Sequence, residues 1–171
     1  MTETQQQFFQ RLNRLGTGER AALRREAGTM LREADGAALA AFYRCLPLKV
    51  EPVQESKWFA VASLRCLWNA REENGASFEK VIAELIRKSE LSDSTRHRVE
   101  ILLDTPWDAD GYMLTKLSRL VKLIRQKSDR TPLDFSALLD DLIRWNSDSQ
   151  ISQRKWARTI FADDTMTDEK E

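Results

Sequence analysis

Few side chains in this sequence could carry out covalent chemistry. His97 is the only histidine, and it lies between Arg96 and Arg98 in a charged stretch that is typical of a solvated helix face. A serine or cysteine nucleophile would need this histidine as its base, and the two flanking guanidinium groups disfavour the imidazolium that such a mechanism forms. Cys45 and Cys66 both have apolar neighbours, which predicts buried free thiols.

The acidic residues do not form a convincing metal-binding set either. Adjacent or near-adjacent acids occur at Asp108 and Asp110, Asp140 and Asp141, and Asp163 and Asp164. A two-metal nuclease needs several acids that converge in one cleft, and we expect Asp140 and Asp141 on the outer side of an amphipathic helix. The cysteines and the histidine lack the spacing of a zinc site, and no glycine-rich phosphate loop occurs. The sequence predicts a protein that is not an enzyme, without metal, cofactor or small-molecule substrate.

Helical periodicity dominates the elements that would position these side chains. Apolar residues recur at helical spacing along almost the whole chain, and no alternating strand pattern competes with it. Only six glycines and four prolines occur in 171 residues, which favours helices over a sandwich or barrel. Residues suited to helix N-caps stand at Asp35, Ser77, Ser92 and Asp134. We expect an all-α helical bundle of about eight helices.

One segment carries apolar residues on every side of its predicted helix, and this pattern marks it as the centre of the fold. The segment runs from Val53 to about Glu72, which predicts a central, buried helix. We divide the chain into an N-terminal helical region (1–92), a C-terminal helical bundle (93–161) and an acidic tail (162–171). The tail has no usable apolar face, so we expect it to be disordered.

The overall charge conceals an uneven distribution. The chain has 27 basic and 27 acidic residues, which excludes a histone-like polycation. The tail contains five acids and one lysine, so the remaining 161 residues carry a net charge of +4. Residues 111–160 hold ten basic and five acidic groups. The excess of positive charge is therefore concentrated in the C-terminal half.

Two segments predict basic helix faces. In residues 112–127 the apolar residues Leu114, Leu117, Leu120, Val121 and Ile124 share one arc of the helix. The basic residues of that helix are Lys116, Arg119, Lys122 and Lys127 on the opposite arc and Arg125 at its edge. In the last helix Arg154, Lys155 and Arg158 share a face. These faces are either solvated or contact phosphates; the absence of interleaved acids favours phosphate contact.

The tryptophans and two of the arginines are expected to have structural roles. Four tryptophans stand at apolar helical positions and are expected in the core, namely Trp58, Trp68, Trp145 and Trp156. Trp107 lies in a loop and is left open. Arg44 and Arg65 lie in apolar surroundings and are expected to pair with buried acids or carbonyls. The opening residues are polar and no apolar run is long enough to span a bilayer, so we expect a cytoplasmic protein without a signal peptide or a membrane partner.

Four short segments stand in the order seen in the CasB family, the small subunit of the type I-E CRISPR Cascade surveillance complex. They are residues 41–44 (Ala-Phe-Tyr-Arg), 117–124 (Leu-Ser-Arg-Leu-Val-Lys-Leu-Ile), 140–145 (Asp-Asp-Leu-Ile-Arg-Trp) and 154–158 (Arg-Lys-Trp-Ala-Arg). The chain resembles this family over roughly residues 5–161.

The resemblance implies a non-catalytic helical subunit, present as two copies beside the crRNA-bound backbone and the large subunit. Its basic surface would bind the displaced non-target DNA strand and help to hold the crRNA–target R-loop. The matching positions are Arg24, Arg25, Arg119, Arg154, Lys155 and Arg158, with Lys57 near another basic family position. The polar turn 146–150, which includes Asp148, departs from relatives that carry basic residues there.

Two other interpretations remain open from the residues themselves. In the first, the protein is a helical interaction adaptor whose basic face docks an acidic partner without touching nucleic acid. In the second, it is a sequence-specific helix-turn-helix regulator. That interpretation is the weaker, because no short helix pair shows the exposed Asn, Gln and Arg set of a recognition helix.

Overall fold

Nine α-helices follow one another in the computed structural model, which describes residues 1–68, 75–128 and 130–162. They are α1 (Glu3–Asn13), α2 (Thr17–Arg25), α3 (Gly36–Cys45), α4 (Glu55–Leu67), α5 (Phe78–Arg87), α6 (Asp93–Asp104), α7 (Tyr112–Ser128), α8 (Phe135–Ile143) and α9 (Ile151–Phe161). Short 3-10 turns at Leu31–Glu33 and Pro52–Gln54 precede α3 and α4. Within these ranges there is no strand, and the predicted all-α class is confirmed.

Side-chain caps begin several helices where the sequence predicted them. The backbone N–H groups of Ala38 and Ala137 donate to the carboxylates of Asp35 and Asp134 at 2.9 and 3.0 Å. Ser92 caps α6 in the same way. Ser77 occupies the N-cap position of α5, but its hydroxyl accepts no capping hydrogen bond.

Helix α4 is the centre of the fold, as its all-round apolar pattern predicted. Every residue from Lys57 to Leu67 is buried, and α2, α7 and α8 pack around it. The helix ends at Leu67 because Trp68 adopts an extended backbone and its indole N–H donates to the Thr131 carbonyl at 2.9 Å. The expected continuation to Glu72 lies outside the described residues.

The C-terminal helices are joined to α5 through a backbone bridge. The Ala76 N–H donates to the Pro132 carbonyl at 3.1 Å, and the Asp134 N–H donates to the Ala76 carbonyl at 2.9 Å. Gly75 lies so close to this strand-like contact that a Cβ there would stand 2.2 Å from the Pro132 carbonyl carbon. Beyond the bridge, α5 packs against α9 and α6 packs against α7.

One cluster of buried apolar side chains runs from Phe8 to Ile160. It contains Trp58, Trp68, Trp145 and Trp156, so the expected core role of these tryptophans is confirmed. The division near residue 92 stays a prediction. Of the expected acidic tail only Ala162 falls within the described residues. No helix of the described part is long and apolar enough to cross a membrane.

Candidate nucleic-acid interface

The turn after α2 lies against α7 and brings two predicted basic segments together. The Lys122 ammonium donates to the Ala27 carbonyl at 3.2 Å. Gly28 has a φ of +96°, and a Cβ at this position would stand 2.6 Å from the Ser118 hydroxyl oxygen. Glycine is therefore required by both the backbone conformation and the close approach to α7. The turn that follows the basic end of α2 thus adjoins α7.

The cations of this junction differ in exposure. Arg24, Arg25, Arg119 and Lys122 are exposed, whereas Lys116 and Arg125 are half-buried. Arg25 lies 4.0 Å from the Asp35 carboxylate, an exposed pair at the limit of an ion contact. Among the ion pairs between described residues, none involves a cation of α7. The positive charge of α7 is therefore left without neutralising partners in the described part of the chain.

Helix α9 presents a second group of cations, and Lys155 is not free within it. Arg154 and Arg158 are exposed, but the Lys155 ammonium lies 2.6 and 2.8 Å from the two carboxylate oxygens of Asp141. It also lies 3.5 Å from the Glu79 carboxylate. Because α9 packs mainly on α5, Arg154 and Arg158 form a group of their own rather than extending the α2–α7 surface through direct packing.

The carboxylate that holds Lys155 overturns the expectation that Asp140 and Asp141 solvate an outer helix face. The Asp141 side chain is 8% exposed and also accepts the Trp156 indole N–H at 2.8 Å. Asp140 is half-buried and accepts the Gln5 amide at 2.5 Å. Burial alone would lower the pKa of Lys155, but the hydrogen bonds and charges of Asp141 and Glu79 raise it overall. Lys155 therefore remains an ammonium group that anchors α9.

The family model of the CRISPR-associated protein Cse2 matches residues 19–161 of the chain. This chain belongs to the Cse2 family. Cse2 and CasB name the same family, so the resemblance found from the sequence is confirmed. The CRISPR-associated protein Cse2 of Thermus thermophilus is 29% identical over 112 residues, which are 66% of this chain. The match spans 60% of that relative, less than two thirds of its length.

Solved structures agree with this assignment. The crystal structure of a Cse2-family protein from Thermus thermophilus is 25% identical, with a TM-score of 0.76, and the match covers 95% of this chain and 100% of that one. A chain of a structure described as a CRISPR RNA-guided surveillance complex is 27% identical, with a TM-score of 0.69. That match covers 90% of this chain and 88% of the other.

The structure removes Lys57 from the predicted nucleic-acid-binding surface of this Cse2 chain. The residue is 8% exposed, and its ammonium lies 3.4 Å from the Ile143 carbonyl oxygen. Burial lowers the pKa of Lys57. Lys57 sits on the all-round buried helix α4, so it cannot face a phosphate backbone.

The two arginines expected to be structural have different environments. Arg65 is buried, its guanidinium lies 5.7 Å from the Phe135 ring centroid, and it donates to the Trp68 carbonyl at 3.5 Å. Its structural role is confirmed. Arg44 is exposed and pairs with the partly buried Glu19 carboxylate, so the expected apolar surroundings are wrong for this residue.

The polar turn after α8 has a structural use in this Cse2 chain. The Asn146 side chain accepts the Trp107 backbone N–H at 2.8 Å and donates to the Trp107 carbonyl at 2.8 Å. Trp107 itself is half-buried against the core. Asn146 thereby fixes the loop before α7, which accounts for a polar residue at this position.

The histidine and the cysteines first considered for chemistry differ in exposure. His97 is exposed and lies 3.0 Å from the Glu100 carboxylate. Cys45 and Cys66 are buried free thiols, as expected, and burial raises the pKa of each to about 11. Within the described ranges no group of three or more His, Cys, Asp or Glu residues could hold a metal ion.

Sequence reasoning overlooked three residues beside the basic face of α7. Arg98 and Ile101 of α6 line the same groove as Arg119, and Tyr112 lies beside it with its ring 5.9 Å from the Lys116 ammonium. A detectable signal was present. Arg98 and Ile101 are three residues apart, so they share a helix face, and an apolar residue on the charged side of α6 breaks its pattern.

Proposed function

We propose that this chain is a non-catalytic small subunit of a type I-E CRISPR Cascade complex. It stabilises the crRNA–target R-loop by binding the backbone of the displaced non-target DNA strand. The contacting cations are those of the α2–α7 junction together with the exposed arginines of α9. The list comprises Arg24, Arg25, Lys116, Arg119, Lys122, Arg125, Arg154 and Arg158.

The observation that carries the proposal is the α2–α7 junction. Two segments that are remote in sequence adjoin there, and the cations of α7 lack ion-pair partners among the described residues. Membership of the Cse2 family and likeness to a chain of an RNA-guided surveillance complex support the choice of nucleic acid as the partner. Lysine and arginine contacts to phosphates need no base code, and guide pairing supplies the sequence specificity.

Modest contacts suffice for this function. Exchanging a DNA duplex for an RNA–DNA duplex is nearly balanced in free energy, so backbone contacts to the released strand shift the equilibrium towards the R-loop. The backbone and large subunits and a second copy of this chain are the other proposed partners, in the cytoplasm. Leu48 and Val53, both exposed between α3 and α4, supply apolar surface suited to a protein contact.

Charge reversal tests the proposal in the assembled complex. Arg119, Lys122 and Arg154 are exposed, so replacing all three by Glu should shorten the R-loop lifetime without unfolding the subunit. The matched control replaces Arg14, Lys49 and Arg87 by Glu, which changes the net charge equally at exposed positions on other elements. Unchanged target binding by the first variant across salt concentrations would refute the phosphate contacts.

A salt titration separates this function from an adaptor that docks an acidic protein. For each phosphate that the protein neutralises, the affinity for single-stranded DNA falls by about 0.7 logarithmic units per tenfold rise in salt concentration. This fall is the slope of the salt titration. Loss of three contacts should therefore reduce the slope by about 2. A slope that the triple substitution leaves unchanged favours the adaptor.

A further inference from the structure

The groove between α6 and α7 has a composition that distinguishes it from the rest of the basic surface. Arg98 and Ile101 from α6 and Lys116 and Arg119 from α7 line a cavity of about 440 Å³. Leu120, which is 3% exposed, adds a buried apolar surface to the lining. This volume lies within the range of about 300–1,000 Å³ that is usual for small-ligand pockets.

Three cations share this cavity, and among the described residues no carboxylate lines it. Arg98, Lys116 and Arg119 take part in none of the ion pairs between described residues. Like charges held in one cavity repel one another, and a bound anion relieves that repulsion. The guanidinium groups of Arg98 and Arg119 also suit the bidentate recognition of phosphate oxygens.

Apolar and aromatic surface lies next to the three cations. Tyr112, on the first turn of α7, is 63% exposed, and Ile101 is 39% exposed. The Lys116 ammonium lies 5.9 Å from the Tyr112 ring centroid, so the ring is within reach of any group that Lys116 holds. In a DNA duplex the flat faces of the bases are stacked on one another, whereas an unstacked base offers a face that stacks on an aromatic ring.

We propose that the α6–α7 groove binds one unstacked nucleotide of a single strand. Arg98, Lys116 and Arg119 hold its phosphate, and Tyr112 and Ile101 receive its base. This inference rests on the proposed function and deepens it, because it makes the surface selective for single strands over duplex. It also assigns binding roles to three residues outside the predicted surface, Arg98, Ile101 and Tyr112.

Intact and abasic oligonucleotides separate the base contact from the phosphate contacts. Loss of one stacked base lowers affinity by about 5-fold to 150-fold. Tyr112→Ala in the full chain should show such a loss with an intact single strand of DNA and no loss with an abasic strand of equal length. Tyr112→Phe keeps the ring and should bind both strands like the unaltered protein. Equal losses on both strands, or no loss on the intact strand, would overturn the base contact.

Arg98 tests the phosphate contact independently. Arg98→Ala should weaken binding of the intact and the abasic strand alike and reduce the salt slope by about 0.7. The matched control is Arg96→Ala, since Arg96 is exposed on the same helix and lines a different cavity. Unchanged affinity of the Arg98 variant, or an equal effect of the control, would overturn the groove as a phosphate site.

These variants also distinguish failure of the groove from failure of the proposed function. Triple charge reversal at Arg119, Lys122 and Arg154 weakens single-strand binding if the basic surface contacts phosphates at all. A loss in that variant without a loss in the Tyr112 and Arg98 variants overturns the groove alone. No loss in any of them overturns both. Tyr112 is exposed, and thermal unfolding of each variant verifies that its fold is retained.

Discussion

Replacing Asp141 by asparagine removes one charge from the contact between α8 and α9 while leaving the side-chain volume nearly unchanged. The carboxylate holds the Lys155 ammonium at 2.6 and 2.8 Å and the Trp156 indole N–H at 2.8 Å. Its side chain is 8% exposed, so water cannot replace these contacts in the folded protein. We therefore expect Asp141→Asn to destabilise the fold and, in particular, the attachment of α9.

The size of the expected loss in stability depends on how exposed Lys155, the partner of Asp141, is. Breaking a fully buried ion pair by removing one member costs about 3–5 kcal/mol. The Lys155 side chain is 43% exposed and keeps the Glu79 carboxylate at 3.5 Å. The loss should therefore be closer to that of a hydrogen bond to a charged group, about 1.5–3 kcal/mol. For a chain of this size each kcal/mol lowers Tm by about 2–4 °C, so Tm should fall by about 3–12 °C.

Urea and thermal unfolding at pH 7 measure this loss, and Asp140→Asn is the matched control. Asp140 lies next to Asp141 on α8, is half-buried and accepts a single bond from Gln5. Its asparagine can still accept that bond, so the control should lose at most about 1 kcal/mol. If the two variants lose the same stability, the proposed anchoring of α9 by Asp141 is wrong.

Three further changes probe burial elsewhere in the molecule. Burial raises the pKa of Cys45 and Cys66 from 9.0 to about 11, so the folded protein keeps protons that the unfolded chain releases. The two protonated thiols should make their full contribution to the free energy of unfolding below pH 9 and lose it between pH 9 and pH 11, as measured by urea unfolding. Replacing both cysteines by alanine should flatten that decline. Gly28→Ala should destabilise the fold by about 1–3 kcal/mol, because the position has a positive φ and the new Cβ would meet Ser118. In thermal unfolding, adding Ser118→Ala to this variant should restore only part of the lost stability, because the positive φ remains. Lys57→Met should leave single-strand affinity unchanged and Tm no lower, because the buried ammonium contacts no phosphate and its burial disfavours the charge.

Much of the fold could be predicted because helices are specified locally. The caps at Asp35, Ser92 and Asp134 act within three residues of their own position, and the structure confirms them. The central position of α4 follows from apolar residues on every side of the helix. Interactions between residues one turn apart need no knowledge of the rest of the chain.

The error at Asp141 shows where local reasoning fails. Asp141 lies three residues after Leu138 and four before Trp145, both fully buried, so helical spacing already placed it on the core side of α8. Because aspartate is charged, we expected it to face solvent, and Arg144, the basic residue at the end of α8, is exposed and does not supply its counter-charge. That counter-charge is the Lys155 ammonium from α9, at a separation of 14 residues.

The residues alone establish the helical class, most helix ends and the basic face of α7, because each depends on neighbours within about four positions. The folded arrangement establishes which cations remain exposed to meet a phosphate. Lys57 is buried against a carbonyl 86 residues away, and Lys155 is held by Asp141 and Glu79. Arg98 instead meets Lys116 and Arg119 across the α6–α7 groove. The availability of a charge depends on what other elements place beside it, and only the packing of the helices decides that.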